Sequence, residues 1–544
     1  MKKLYPLLIA VLGIMVGVLG TLTFNAYTQR RNGLKVRNRD WSKLELVMDQ
    51  ISRNYVDTID TEAVSEAAIV AALAKLDPHS VYMPPVELKD AETELAGNFD
   101  GIGIQFNVPN DTAIVLEVIP GGPSEKAGLR KGDRILKVDD KVIAGVEFPQ
   151  DSMVRRMKGP AGTKVDITVG RGKEEILFEI KRGKIPVHCV DAFFMVNDTT
   201  GYIRLSKFSR NTYTECMNAG KELLAQGMKH LVFDLRDNTG GYLDEALLLS
   251  NMFLEKGQEI VYMQGLHREK KGFKADGTGI LKDVRLTVVI NESSASSSEI
   301  FAGAIQDNDR GTIIGRRSFG KGLVQQQIGF TDGSMIRLTI ARYYTPSGRC
   351  IQKPYTMGGD REYEQDLITR YQHGEFFNQD SIKHTGPAYH TALGRTVYGG
   401  GGITPDIFIP EDTLGITSYY KEAAMSGLIL QFAYTYTDDN RQKMQKFEEM
   451  LELVKYLKKQ NTVDQFANYA NSHGLQRRNL MIQKSHSLLE RYINSRIIYN
   501  MLDEQAWTEY VNQDDRVIKA AMEVFRKGEA FPKAPEKAKS KKEK

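Results

Sequence analysis

Two short segments hold the side chains best suited to covalent chemistry. The first, Asn291-Glu292-Ser293-Ser294-Ala295-Ser296-Ser297-Ser298-Glu299-Ile300, follows an apolar run that reads as a buried strand and opens a helical pattern near Ser297. At such a strand-to-helix turn a hydroxyl can project toward substrate, while the N–H groups of the helix start face developing negative charge. A serine needs an activating base. No histidine lies nearby in sequence, which leaves Lys321, in the glycine-bounded segment Ser318-Phe319-Gly320-Lys321-Gly322. As a base that amine must be neutral, so it requires partial burial to bring its pKa down from about 10.4. Taken singly, a serine-rich turn is more often a helix cap and a lone lysine a solvated charge.

Other chemistries fit worse. The nine histidines show no H-E-x-x-H or other close ligand spacing, so no metal site is expected. No serine has glycine both two before and two after it, as a hydrolase nucleophile elbow would. Gly315, Gly320 and Lys321 fit G-x-x-x-x-G-K, but Gly322 stands where a phosphate loop needs Ser or Thr, and Leu323 to Ile328 reads as a strand rather than a helix. The three cysteines form no CxxC pair and signal neither a disulfide framework nor zinc. Net charge is +4 over 544 residues, and the six Lys and two Glu from Phe531 onward account for all of it, so no basic face for nucleic acid is expected.

The elements that must position these residues fall into successive regions of a multidomain α/β chain. Residues 1–27 form a signal anchor or signal peptide, with 21 apolar-rich residues from Leu4 to Phe24. As a helix they would span about 31 Å, enough to cross a bilayer. Residues 37–96 carry helical spacing. Residues 97–183 are β-rich, with runs such as Ile114 to Val118 and Val165 to Val169 between Gly and Pro turns. Residues 184–412 alternate strands and helices as an α/β layer, with an irregular insertion at 353–399. A helical region at 413–528 and a lysine-rich low-complexity tail at 529–544 close the chain.

Within the β-rich region, Gly101-Ile102-Gly103-Ile104 and then Pro123-Ser124-Glu125-Lys126-Ala127-Gly128-Leu129 resemble a PDZ domain. The first segment stands at its carboxylate-binding loop, where alternating glycines let N–H groups converge on an anion and the strand that follows offers an edge to an extended peptide. Further on, Ser294 to Ile300 with Phe319-Gly320-Lys321-Gly322-Leu323-Val324-Gln325 resembles the signature of the carboxyl-terminal processing (tail-specific) proteases, Ser/Lys endopeptidases with an embedded PDZ domain. Positions 296 and 321 have the family's separation of 25. The resemblance extends through Leu76-Asp77-Pro78-His79-Ser80, Gly201 to Leu205, Asp234 to Gly241 and Tyr343 to Gly348, covering roughly residues 40 to 410.

That resemblance implies a ClpP/crotonase-like protease core in which Ser296 is the nucleophile, Lys321 the general base and Gln325 a hydrogen-bonding aligner of the lysine. The oxyanion hole would be the backbone N–H of Ser297 with that of Gly240 or Gly241. Asp307 is expected to be supporting structure. Position 297 departs from the family, which usually has Ala there. The implied function is capture of a protein's free C-terminus by Gly101, Ile102, Gly103 and Ile104, then cleavage of C-terminal segments of envelope proteins without a cofactor. The expected surroundings are the periplasmic side of the cell envelope with an inner-membrane anchor; an adaptor or activating partner and a homo-oligomer are left open, as is the role of the helical region. The rival expectation is a catalytically silent PDZ scaffold that binds C-termini.

Overall fold

The computed structural model describes residues 42–85, 97–108, 111–384, 386–528 and 532–533. The expected signal segment at 1–27, and all of the expected tail at 529–544 but two residues, lie outside the described residues. No helix among the described residues is long and apolar enough to cross a membrane. The chain divides into two compact units, Met1–Leu73 and Ala74–Lys544.

In the first unit, α1 (Ser42–Asn54) has Glu45 in its first turn and Arg53 in its last, as the helix dipole favours. The alanine-rich α2 (Thr61–Leu73) is capped by Asp60, whose Oδ1 accepts from the Glu62 and Ala63 N–H groups at 3.0 and 3.1 Å. The helical spacing expected over 37–96 stops short of β1 (Val81–Met83), which belongs to the second unit and pairs with the strand Met335–Tyr344. Asp77-Pro78 breaks the helix, and the Asp77 carboxylate then ties the turn by accepting from the N–H groups of His79 and Ser80 and from the Ser80 hydroxyl.

The β-rich region folds as β2 (Asn98–Gly101), β3 (Ile104–Asn107), β4 (Ala113–Val118), α3 (Pro123–Ala127), β5 (Arg134–Val138), β6 (Lys141–Val142), α4 (Gln150–Met157), β7 (Lys164–Arg171), β8 (Glu174–Lys181) and β9 (Gly183–Pro186). Its sheet runs β3-β4-β5-β7-β8, so β3 is an edge strand, paired only with β4 among the described residues. Apolar positions of these strands close over Met153 and Met157 of α4. The antiparallel pair β2 and β9 joins the points where the chain enters and leaves.

The α/β core holds β10 (Val190–Asn197), β11 (Thr200–Leu205), α5 (Thr212–Ala225), β12 (His230–Asp234), α6 (Leu243–Asn251), β13 (Glu259–Gly265), β14 (Arg268–Lys274), β15 (Arg285–Ile290), α7 (Ser297–Asp307), β16 (Thr312–Gly315), β17 (Leu323–Gly329) and β18 (Met335–Tyr344). The central sheet runs β10-β11-β12-β15-β16-β21, where β21 is Ile407–Phe408; all neighbours are parallel except β10 with β11. Period-two alternation splits its strands between two apolar layers. Ile203, Phe233, Val288 and Ile313 pack under α5, α6 and α7, while Tyr202, Val232, Val289 and Ile314 face the opposite side. A second sheet joins β1, β18, β13 and β14, with β17 also paired to β18.

The insertion at 353–399 is more ordered than expected. It folds α8 (Asp360–Glu364), α9 (Asp366–Gln372) and a hairpin of β19 (Ala388–His390) and β20 (Thr396–Tyr398). The helical region then follows as α10 (Ser418–Met425), α11 (Leu428–Met444), α12 (Met450–Leu457), α13 (Thr462–Ser472), α14 (Asn479–Lys484), α15 (His486–Met501), α16 (Glu504–Asn512) and α17 (Arg516–Lys527). Most of these helices share a core of their own. α17 instead covers the second face of the central sheet with Val517, Ile518, Ala521, Val524 and Phe525. Elsewhere the region touches the β-rich domain: Asn107 Nδ2 donates to Tyr434 Oη at 2.8 Å, Tyr499 Oη to Gln105 Oε1 at 3.0 Å, and Arg134 pairs with Asp438 at 2.5 Å.

Candidate active site

Three loops meet where the parallel strands β12, β15 and β16 end, the edge at which open α/β sheets place their sites. The loop after β12 carries Asn238, Gly240 and Gly241, that after β15 carries the serine cluster, and that after β16 carries Lys321. Ser296, Lys321, Gln325, Gly240 and Gly241 all line one cleft of about 880 Å³.

Hydroxyls separate the adjacent serines. Ser294 Oγ donates to the Leu235 carbonyl at 2.7 Å, Ser298 Oγ to that of Asn238 at 2.8 Å and Ser297 Oγ to that of Gly241 at 3.0 Å, so these three stitch the turn to the loop after β12. Ser296 alone of them faces the cleft. Its backbone sits at φ 54°, ψ −113°, a region that a non-glycine residue occupies only when its surroundings compel it. A strained strand-to-helix elbow is therefore present although the flanking-glycine motif is absent, with Ser294 and Ser298 in the flanking places.

The compelling group is Glu299, which is fully buried. Its Oε2 accepts from the N–H groups of Ser296 and Lys321 at 2.9 and 2.8 Å, and its Oε1 from the Gly320 N–H and the Ser318 hydroxyl at 2.7 and 2.5 Å. Burial pushes this carboxyl up, and the four donors hold it back. Sequence reading missed Glu299. Its position three residues after the helix cap, a capping-box spacing, was the available signal.

The Gly-Gly turn approaches the elbow closely. A Cβ on Gly240 would lie 2.7 Å from Ser296 Cβ, and one on Gly241 2.0 Å from the Phe208 carbonyl oxygen, so neither position tolerates a side chain. The Gly240 N–H is already donated to Asn238 Oδ1 at 2.9 Å. Among the described residues the Gly241 and Ser297 N–H groups have no acceptor. Asn238 is thus the second residue that sequence reading missed. Its amide also donates to the Leu205 carbonyl at 2.8 Å, and its own carbonyl accepts from the Ala295 N–H at 3.0 Å.

Lys321 is half-buried. Burial first, then the charge of Arg337, push its amine below the ordinary lysine value, against the pull of Glu299 and Asp77. The hydrogen bond expected from Gln325 to the lysine is not formed. Gln325 Nε2 donates instead to the His79 carbonyl at 2.7 Å, and the Lys321 amine has no hydrogen-bond partner among the described residues. His79 is held by Tyr363 Oη at 2.8 Å, and burial together with Lys321 brings its pKa down to about 4, so the ring is neutral near pH 7. The insertion grips the lysine loop as well, for Arg370 donates to the carbonyls of Ser318 and Arg317 at 3.0 and 2.8 Å. Asp307 lies away from this chemistry, paired with the buried Arg349 at 2.7 Å and accepting from the Ser347 hydroxyl at 2.6 Å. Gly101 ends β2 and Ile104 opens the edge strand β3; between them the Ile102 and Gly103 carbonyls accept from the Ser124 and Ile119 N–H groups. No group of three or more His, Cys, Asp or Glu able to hold a metal occurs among the described residues.

Three comparisons with known proteins place the chain in a family. Residues 199–363 match peptidase family S41 and residues 101–181 match the PDZ domain, while 419–503 match a family of unknown function. A CtpA-like serine protease of Staphylococcus aureus is 35% identical over 341 residues, 62% of this chain and 68% of that protein. One of Staphylococcus haemolyticus is 33% identical over 347 residues, 63% and 69% of the two chains. Among solved structures, the photosystem II D1 C-terminal processing protease is 26% identical and covers 69% of this chain and 88% of its own, with a TM-score of 0.38. The PDZ domain of a carboxy-terminal protease from Vibrio cholerae is 31% identical over 16% of this chain and 99% of its own, with a TM-score of 0.16. The chain therefore belongs to peptidase family S41, as a PDZ-containing, CtpA-like serine protease of the carboxyl-terminal processing type.

Proposed function

We propose that Ser296 is the nucleophile and Lys321 the base of a protease that trims protein C-termini in the cell envelope. The observation that carries this reading is the convergence on one cleft of a strained Ser296 and a half-buried Lys321 amine that has no hydrogen-bond partner among the described residues. Ser296 Oγ attacks the scissile carbonyl while its proton passes to Lys321 Nζ. The oxyanion so formed accepts from the free N–H groups of Gly241 and Ser297. Lys321 returns the proton to the leaving amine, which departs with the C-terminal fragment. The same amine then takes a proton from water, which hydrolyses the Ser296 ester and restores the enzyme.

Substrate enters by its free C-terminus, which pairs with the open edge of β3 while its carboxylate meets the loop Gly101 to Ile104. Closure of Lys321 onto Ser296 precedes the first step, because the amine is bonded to neither Ser296 nor Gln325 in this conformation. The apolar run within residues 1–27 supports anchorage at the membrane, and the family resemblance supports a catalytic unit on the periplasmic side. An activating partner and self-association through the helical region belong to the same reading.

Cleavage of a C-terminally tailed envelope protein by wild type, Ser296→Ala and Lys321→Ala tests the assignment. Loss of product in both variants is expected, and equal activity in all three would reject it. The absence of a hydrogen bond between Lys321 and Ser296 among the described residues is what favours the rival, a silent scaffold that only binds C-termini. Modification of wild type but not Ser296→Ala by a serine-reactive probe would exclude that rival.

A further inference from the structure

The cleft around Ser296 has an apolar floor and a cationic wall. Met263, Phe273 and Ile340 line it on one side, while Lys271 and Arg337 bring positive charge. Its one lining carboxylate, Asp244, is already paired with Arg210. Arg337 sits on β18, beside Gln327 of β17 in the sheet register, and is half-buried. Among the described residues it forms no hydrogen bond or ion pair. Lys271 lies exposed, with its ammonium 5.3 Å from the centroid of the Phe273 ring and no ion pair among the described residues.

A half-buried guanidinium gives up part of its hydration, and without a partner that loss is uncompensated. Other buried arginines of this chain resolve the problem internally, as Arg349 does with Asp307 and Arg236 with Asp234. Arg337 is left open toward the cleft where substrate must lie. Its planar fork of donors suits a carboxylate, which it can hold through two parallel hydrogen bonds.

We propose that Arg337, assisted by Lys271, binds a carboxylate of the substrate, so that the protease selects segments with an apolar residue for the floor and an acid close to the cut. The proposal rests on the protease reading above and adds the substrate class to it. A side chain of Asp or Glu and the terminal carboxylate of a short tail present the same chemistry to Arg337, and the test separates them.

Internally quenched peptides are compared that differ in one residue beside the scissile bond, Glu, Gln or Lys, each with a free-acid or an amidated C-terminus. Wild type is expected to favour Glu over Gln by about tenfold in kcat/KM, the scale of one charge-assisted bond. Arg337→Gln should flatten that ratio whatever its effect on overall rate, and Arg337→Glu should turn the preference toward Lys. If the flattened ratio is free acid over amide rather than Glu over Gln, the carboxylate is the terminal one. Identical ratios in wild type and both variants would overturn the proposal and leave the protease reading intact. Cleavage by Ser296→Ala at the wild-type rate would reject the protease reading itself.

Discussion

The backbone N–H groups of Ser296 and Lys321 donate to one atom, Oε2 of Glu299, at 2.9 and 2.8 Å. A single buried carboxylate thus sets the strained elbow and the lysine loop in one frame, although the lysine amine itself stays unbonded. Two residues 25 apart in sequence become neighbours through it.

Glu299→Gln should therefore be severe. All four partners of this carboxylate are donors, so an amide turns one lone-pair site into a donor facing another donor. Peptidase kcat is expected to fall by at least about 100-fold, with a stability loss of about 2–3 kcal/mol, the cost of a buried unsatisfied group. Parallel kinetics and urea unfolding check both.

Activity should rise with pH through a limb set by Lys321. Burial and Arg337 lower the amine's pKa, so the neutral base appears at a lower pH than for an ordinary lysine. Arg337→Gln removes one of these influences, so the pKa rises and the limb moves to higher pH. The profile of kcat/KM against pH measures the shift, and a limb that moves down or stays fixed would contradict the assignment.

Asn238→Ala frees the Gly240 N–H and unties the turn from Leu205. If the Gly241 N–H is an oxyanion donor, as proposed, kcat should drop by about 10²-fold, as when one such donor is lost, with KM little changed. Steady-state kinetics on one peptide separates the two constants.

Phe525 stacks on His230 at 4.9 Å between ring centroids and is 5% exposed. Phe525→Ala should cost about 3–5 kcal/mol, because it opens a cavity over the face of the central sheet that carries Tyr202 and Val232. Thermal unfolding of the full chain reads the loss. An unchanged melting temperature would mean that α17 is dispensable to the core.

Much of the architecture was legible because it is local. The strand from Leu231, the helix from Ser297 and the strand after Gly322 each follow from apolar spacing and glycine placement within a dozen residues. The serine turn and Lys321 were identified by the same means. Expectation failed where a partner lies far along the chain. The family resemblance pairs Gln325 with Lys321, four residues away, whereas in the structure Gln325 bonds the His79 carbonyl, 246 residues away. The last helix was grouped with a C-terminal appendage, whereas Asp515 at its cap reaches 279 residues back to Arg236. The insertion at 353–399 read as irregular because its short helices owe their order to Arg370 and Lys353 packing on the lysine loop rather than to periodicity.

By itself the sequence determined the element types, the family and the candidate serine and lysine, since these depend on residue type and on spacing along one strand, turn or helix. Tertiary structure alone decided which serine faces the cleft and, among the described residues, which glycine keeps a free N–H and that the Arg337 guanidinium lines the same cleft as the amine without a partner. Those outcomes turn on which donor meets which acceptor across strands distant in the chain, and such pairing is settled only when the sheet assembles and burial forces each polar group to find a partner.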